Sequence, residues 1–105
     1  MGEVFQVMVT TPSHDVAAQL GRQVVERRLA ACAQVGGPVT STYWWEGEVQ
    51  EATEWTLVYK TSAARLGALV EAVRDAHPYD TPEIVATPVT GDSTYLAWVE
   101  AATAG

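Results

Sequence analysis

Between a turn signal at Glu46-Gly47 and a helix-cap signal at Ser62 lie thirteen residues, Val49 to Thr61, uninterrupted by proline or glycine. Within them Trp55, Leu57 and Tyr59 alternate with Thr56, Val58 and Lys60, the two-residue period of a strand. At ~3.3 Å per residue this strand is about 43 Å long, whereas a globule of this chain length has a radius of gyration of ~13 Å and a diameter of about 33 Å. A straight ribbon therefore overhangs its own domain. Bearing Trp44, Trp45, Val49 and Trp55, it would expose apolar area and unpaired edge groups that soluble proteins generally hide. Two resolutions are open: a closed homo-oligomer joined edge to edge through the hairpin, or a bulge near Ala52-Thr53 that folds the ribbon back.

The remaining pattern is consistent with one domain spanning residues 1–105. Val4 to Thr10 reads as a first strand, stopped by Thr11-Pro12, and Ser13 as the cap of a helix carrying Val16, Leu20 and Val24 to about Leu29. Ala31 to Val35 is a short strand broken at Gly36-Gly37-Pro38 and resumed over Val39 to Trp45, with Ser41, Tyr43 and Trp45 on one face. Ser62 caps a second helix with Leu66, Leu69, Val70 and Val73 on its apolar side, ended after Ala76 by His77-Pro78. Tyr79 to Pro82 is a stiff link to a last strand, Glu83 to Val89, and a closing helix carries Tyr95, Trp98, Val99 and Ala102. The order β-α-β-β-α-β plus a C-terminal helix predicts an α+β, ferredoxin-like antiparallel sheet, with another small α+β sandwich as the alternative.

Thirteen acidic residues against six Lys plus Arg give a net charge of −7, a field that repels phosphate backbones and anionic leaflets, so neither nucleic acid nor membrane is an expected partner. Cys32 is the only cysteine, which forbids an intrachain disulfide or a Cys-rich zinc site and fits a cytoplasmic setting. The start of the chain has no basic n-region and reads as a strand, not an export signal. No run approaches the ~20 apolar residues of a membrane span.

His77 is the most informative polar residue, with Tyr79, Asp80 and Glu83 within six positions. Imidazole and carboxylates suit divalent transition metals, yet a histidine closing a helix is equally a dipole cap. Cys32 reads either as a small core hydrophobe or as a reactive thiol. Lys60, the only lysine, could neutralise an anion beside a helix N-terminus or guard a strand edge. Trp45, Tyr43 and Tyr79 could line a ligand pocket or fill an intersubunit core. There is no phosphate loop, paired-His zinc motif or nucleophile elbow, so the sequence does not read as an enzyme; His77 and Glu83 as acid and base are the one catalytic alternative.

Leu29-Ala30-Ala31-Cys32, the hairpin Tyr43-Trp44-Trp45-Glu46-Gly47-Glu48, Lys60-Thr61, His77-Pro78-Tyr79 with Pro82-Glu83, and Tyr95-Leu96-Ala97-Trp98 together resemble the CutA divalent-cation-tolerance family, in register from about Val7 to Val99. The resemblance implies a ferredoxin-like fold, a homotrimer related in architecture to PII signalling proteins, a cytoplasmic location, and a link to tolerance of divalent metals such as copper. It places the family's His-Pro-Tyr histidine at His77. Copper-binding members can add a Cys near the end of the first strand and a second His before that motif, and here those positions are Val9 and Ala76. Two expectations result. One is a metal-responsive trimer holding a divalent cation, copper for instance, through His77 with help from Asp80 and Glu83 at or near a subunit interface. The other is a PII-like module whose intersubunit clefts, lined by Lys60, Trp45, Tyr79 and Glu83 with Cys32, receive a small anion or a partner protein.

Overall fold

The computed structural model describes residues 2–105. The elements run β1 (Val4–Thr11), α1 (His14–Glu26), β2 (Cys32–Trp45), β3 (Glu48–Ser62), α2 (Ala63–Ala76), β4 (Ile84–Val89) and α3 (Ser93–Ala102). The strands form one antiparallel sheet in the order β2-β3-β1-β4, the ferredoxin-like arrangement of two split βαβ units.

Strand alternation divides the side chains between two faces. Val7 and Val9 of β1 pair with Tyr59 and Leu57 of β3; all four are fully buried, packed with Leu20 and Val24 of α1 and Leu69 and Val73 of α2. The Tyr59 hydroxyl donates to the Leu20 carbonyl at 2.9 Å, so the one polar atom of this large core side chain is satisfied. The third helix lies across one end of the opposite face. There Thr103 donates to the Ser62 hydroxyl at 2.9 Å, and the Tyr95 hydroxyl sits 3.5 Å from Cys32 Sγ. On the rest of that face Met8 and Val85 are exposed, whereas Thr10 and Glu54 are buried.

Local features at three places differ from the sequence expectation. Helix α1 stops at Glu26 and not near Leu29, because Arg28 turns to φ 58° while Leu29 donates back to Val24. This turn drives Leu29 and Ala30 into the core. Ser62 stands at the N-cap position of α2 without a side-chain capping bond; its hydroxyl is taken by Thr103. Gly36-Gly37-Pro38 does not end a strand. The chain bulges there, at a Gly37 φ of 116°, and pairing resumes at Val39 opposite Glu54. A side chain on Gly37 would begin 3.2 Å from the Glu54 carbonyl and Trp55 Cα, so close approach and backbone sign both require glycine.

The ribbon continues outward from that bulge and does not fold back at Ala52-Thr53. Its tip is a two-residue turn with φ 51° at Glu46 and 80° at Gly47, the twist-matched hairpin geometry. The chain measures 45 × 24 × 21 Å, and Trp44 (72% exposed) and Val49 (57%) stand opposite one another near the tip.

Candidate functional site

The bulge decides where the hairpin aromatics point. Proximal to it, Ala33 and Val35 pair with Tyr59 and Leu57; distal to it, Ser41 and Tyr43 pair with Ala52 and Gln50, and Val39 with Glu54. One extra residue on β2 thus swaps its odd-numbered side chains from the helix-covered face of β3 to the other face. Ser41, Tyr43 and Trp45 thereby join Thr10 and Glu54 along a cleft of ≈ 630 Å³ whose far wall is the link between α2 and β4, from Pro78 to Glu83.

His77 fixes that wall. Its Nδ1 accepts the Tyr79 backbone N–H at 3.1 Å, so Nε2 carries the proton and donates to the Thr10 carbonyl at 2.8 Å. The imidazole is buried and its ring centroid lies 4.8 Å from that of Tyr79. Tyr79 in turn donates its hydroxyl to Glu54 Oε2 at 3.0 Å. Its pKa is pushed up to about 12, by burial first, then by the hydrogen bond to Glu54 and the Glu54 charge, and last by Tyr43. Glu54 is 7% exposed and pairs with no cationic side chain among the described residues.

Of the residues singled out in the sequence, Trp45, Tyr79, Asp80 and Glu83 line this cleft together. Glu83 precedes β4, which begins at Ile84. His77 does not open into the cleft. Both its nitrogens are engaged inside the chain, so it serves as a staple and is not free as the expected ligand; a metal would have to displace a hydrogen bond. Among the described residues no three His, Cys, Asp or Glu side chains gather closely enough to hold a metal ion. Lys60 and Cys32 lie elsewhere in the single chain. They pair across β3 and β2 near the other end of the sheet, where Lys60 Nζ donates to Gln34 at 3.4 Å and Cys32 meets Tyr95. Six residues of extended strand separate Lys60 from Glu54, about 20 Å. The cleft accordingly has an acidic lining with no lysine or arginine, unsuited within one chain to a small anion. Glu54 and Thr10 went unrecognised in the sequence, since nothing in a strand pattern marks a carboxylate as buried.

The phenols give the fold an alkaline limit. Tyr59 is raised far above its ordinary 10.0 by burial, and Tyr79 to about 12; Tyr95 also reaches about 12, through its Cys32 contact first and burial second. The folded state holds these protons when the unfolded chain has lost them, so their contribution is complete below pH ~10 and is lost as pH rises through the raised values. Urea midpoints should hold between pH 8 and 9.5 and then fall progressively above pH 10. A midpoint that rises above pH 10 would contradict this assignment.

The sheet order, the overlong hairpin and the second-face helix define the class: an α+β protein of ferredoxin-like topology with an acid-lined aromatic cleft. The chain belongs to the CutA1 divalent ion tolerance protein family, whose model matches residues 5–102. It is 42% identical over 103 residues to Protein CutA of Mus musculus, covering 97% of this chain and 58% of the mouse protein; the chain thus spans little more than half of that relative. The divalent cation tolerance protein Cut A1 of Thermus thermophilus superposes with a TM-score of 0.90 at 43% identity, covering 98% of this chain and 99% of that one. The periplasmic divalent cation tolerance protein CutA of Archaeoglobus fulgidus does so at 0.91 and 31% identity, covering 95% and 98%. No helix among the described residues is long and apolar enough to cross a membrane.

Proposed function

We propose that this protein acts in divalent cation tolerance as a homotrimer, holding a cation such as copper where subunits meet, with Asp80 and Glu83 as this chain's donors. The observation that carries the reading is the uncovered apolar surface: Met8, Val85, Trp44 and Trp98 are all exposed in a single chain, and contiguous apolar area of this kind marks interaction surfaces. Edge-to-edge closure of three copies through β2 and β4, the two free edges of the sheet, would cover ribbon and face together. His77 supports the cation site indirectly by fixing the link that carries Asp80. In this reading the setting is cytoplasmic, in keeping with a single unpaired thiol.

Light scattering on the purified chain should give about three times the 11.3 kDa subunit. Calorimetric titration of that assembly with Cu²⁺ should reveal a saturable site that Asp80→Ala with Glu83→Ala abolishes. A monomer at micromolar concentration, or copper binding indifferent to both carboxylates, would sink the reading.

A further inference from the structure

Histidine is the side chain whose ordinary charge change falls between about pH 5 and 8, and the fold puts one where its two protonation states have opposite geometric consequences. His77 closes α2 and is 8% exposed within its own chain. Pro78 has no N–H, so the Tyr79 amide is the first donor after the helix, and it donates to Nδ1 at 3.1 Å. Only a neutral imidazole with its proton on Nε2 offers that lone pair. A second proton leaves the Nε2–H bond to the Thr10 carbonyl in place, strengthened by charge, but turns Nδ1 into a donor aimed at another donor. The ring then stays on β1 while the backbone it held is let go, because an amide left unpaired inside the fold is costly.

The groups around the imidazole confine the effect to this contact. β1 presents the Thr10 carbonyl. The link presents the Tyr79 ring at 4.8 Å, with a phenol pushed up to about 12 that keeps its proton throughout. Glu54 of β3 stands behind that hydroxyl, a carboxylate that accommodates positive charge added nearby. On α2 itself Arg74 and Asp75 are exposed. On α1 His14 and Asp15 lie at the surface, 3.9 Å from each other, and Asp80 and Glu83 line the cleft on the far side of the link.

We propose that His77 is an acid-operated latch on the Pro78–Glu83 link, closed with a neutral imidazole and released at the Tyr79 amide when Nδ1 gains a proton. The latch lies inside one chain and works without metal. Its consequence for a cation held by Asp80 and Glu83 rests on the reading above: acid would loosen the frame that positions those donors.

The test is NMR of the metal-free protein, which reads imidazole nitrogen shifts and amide hydrogen exchange together, so its outcome does not depend on whether a cation binds. The chain has two histidines, and exposed His14 is the internal reference. From about pH 8 to about pH 5 the Tyr79 amide, corrected for intrinsic exchange, should lose about fivefold or more of its protection, the scale of one hydrogen bond. The loss should run in step with protonation of His77 Nδ1. Leu57, paired on both sides in mid-sheet, should keep its protection, which separates local release from unfolding. His77→Gln carries an uncharged donor and acceptor and should remove the pH response; His14→Gln should leave it intact. The proposal is overturned if Tyr79 protection stays flat while Nδ1 gains its proton, if His77 remains neutral where His14 is charged, if Leu57 loses protection along with Tyr79, or if His77→Gln retains the fall. Should His77→Gln fail to fold, wild type decides: a Tyr79 transition that does not coincide with His77 protonation overturns the latch.

Discussion

Leu57→Ala should destabilise the fold by about 2–5 kcal/mol, the range for removing a fully buried leucine from a packed core. Leu57 sits mid-sheet with no exposed surface, paired with Val9 on one side and Val35 on the other. Against it α1 comes so close that a Cβ on Gly21 would lie 3.2 Å from Leu57 Cδ1. Neighbours held between two strands and a helix cannot collapse into the space, which pushes the cost toward the upper end. For a domain of this size the melting temperature should fall by about 10–25 °C, out of a total stability of order 5–15 kcal/mol. Urea unfolding checks this: the midpoint should drop with little change in slope. A loss below about 1 kcal/mol would mean that the centre of the core has been misplaced.

A larger effect is expected from charge on the uncovered face. Met8 and Val85 are direct cross-strand partners on β1 and β4, exposed at 38% and 53%. Glutamate at both positions costs a solvated single chain little. It is severe at a dry contact between copies, where each unpaired carboxylate carries a desolvation penalty of several kcal/mol. Met8→Glu with Val85→Glu should therefore take the mass by light scattering from about three subunits to one. Gln19→Glu, exposed on α1, adds a charge without touching that face and should leave the mass unchanged. An assembly indifferent to the double substitution would place the subunit contact elsewhere and remove the main support for trimerisation.

Element types and order were legible because periodicity is dictated by what each face must bury. The alternation of Trp55, Leu57 and Tyr59, and the four-residue spacing of Val16, Leu20 and Val24, leave little choice. Several residues of the site were legible too: Tyr43, Trp45, Tyr79, Asp80 and Glu83 do share one cleft. What brings the hairpin aromatics there depended on phase. Whether Tyr43 and Trp45 meet the core or the acidic side of β3 turns on one unpaired residue between Gly36 and Val39, and a break signal at Gly36-Gly37-Pro38 does not say whether the strand ends or slips. Glu54 was invisible for the same reason. Lys60 and Cys32, expected in a cleft between subunits, lie about 20 Å along the sheet from Glu54, a separation that chemistry alone does not reveal. His77 was read from its neighbours in sequence, whereas its partners are a backbone carbonyl on β1 and an amide two residues on.

That staple has a thermodynamic consequence. A link between a helix and an edge strand ordinarily fluctuates, and any guest that used it as a wall would bear the entropy of freezing it, about 1–2 kcal/mol for each residue immobilised. Here the imidazole has already tethered the Tyr79 backbone to β1 during folding, and the Tyr79 hydroxyl reaches across to β3. The wall arrives preorganised, so contacts made with it are available almost in full to whatever the cleft admits.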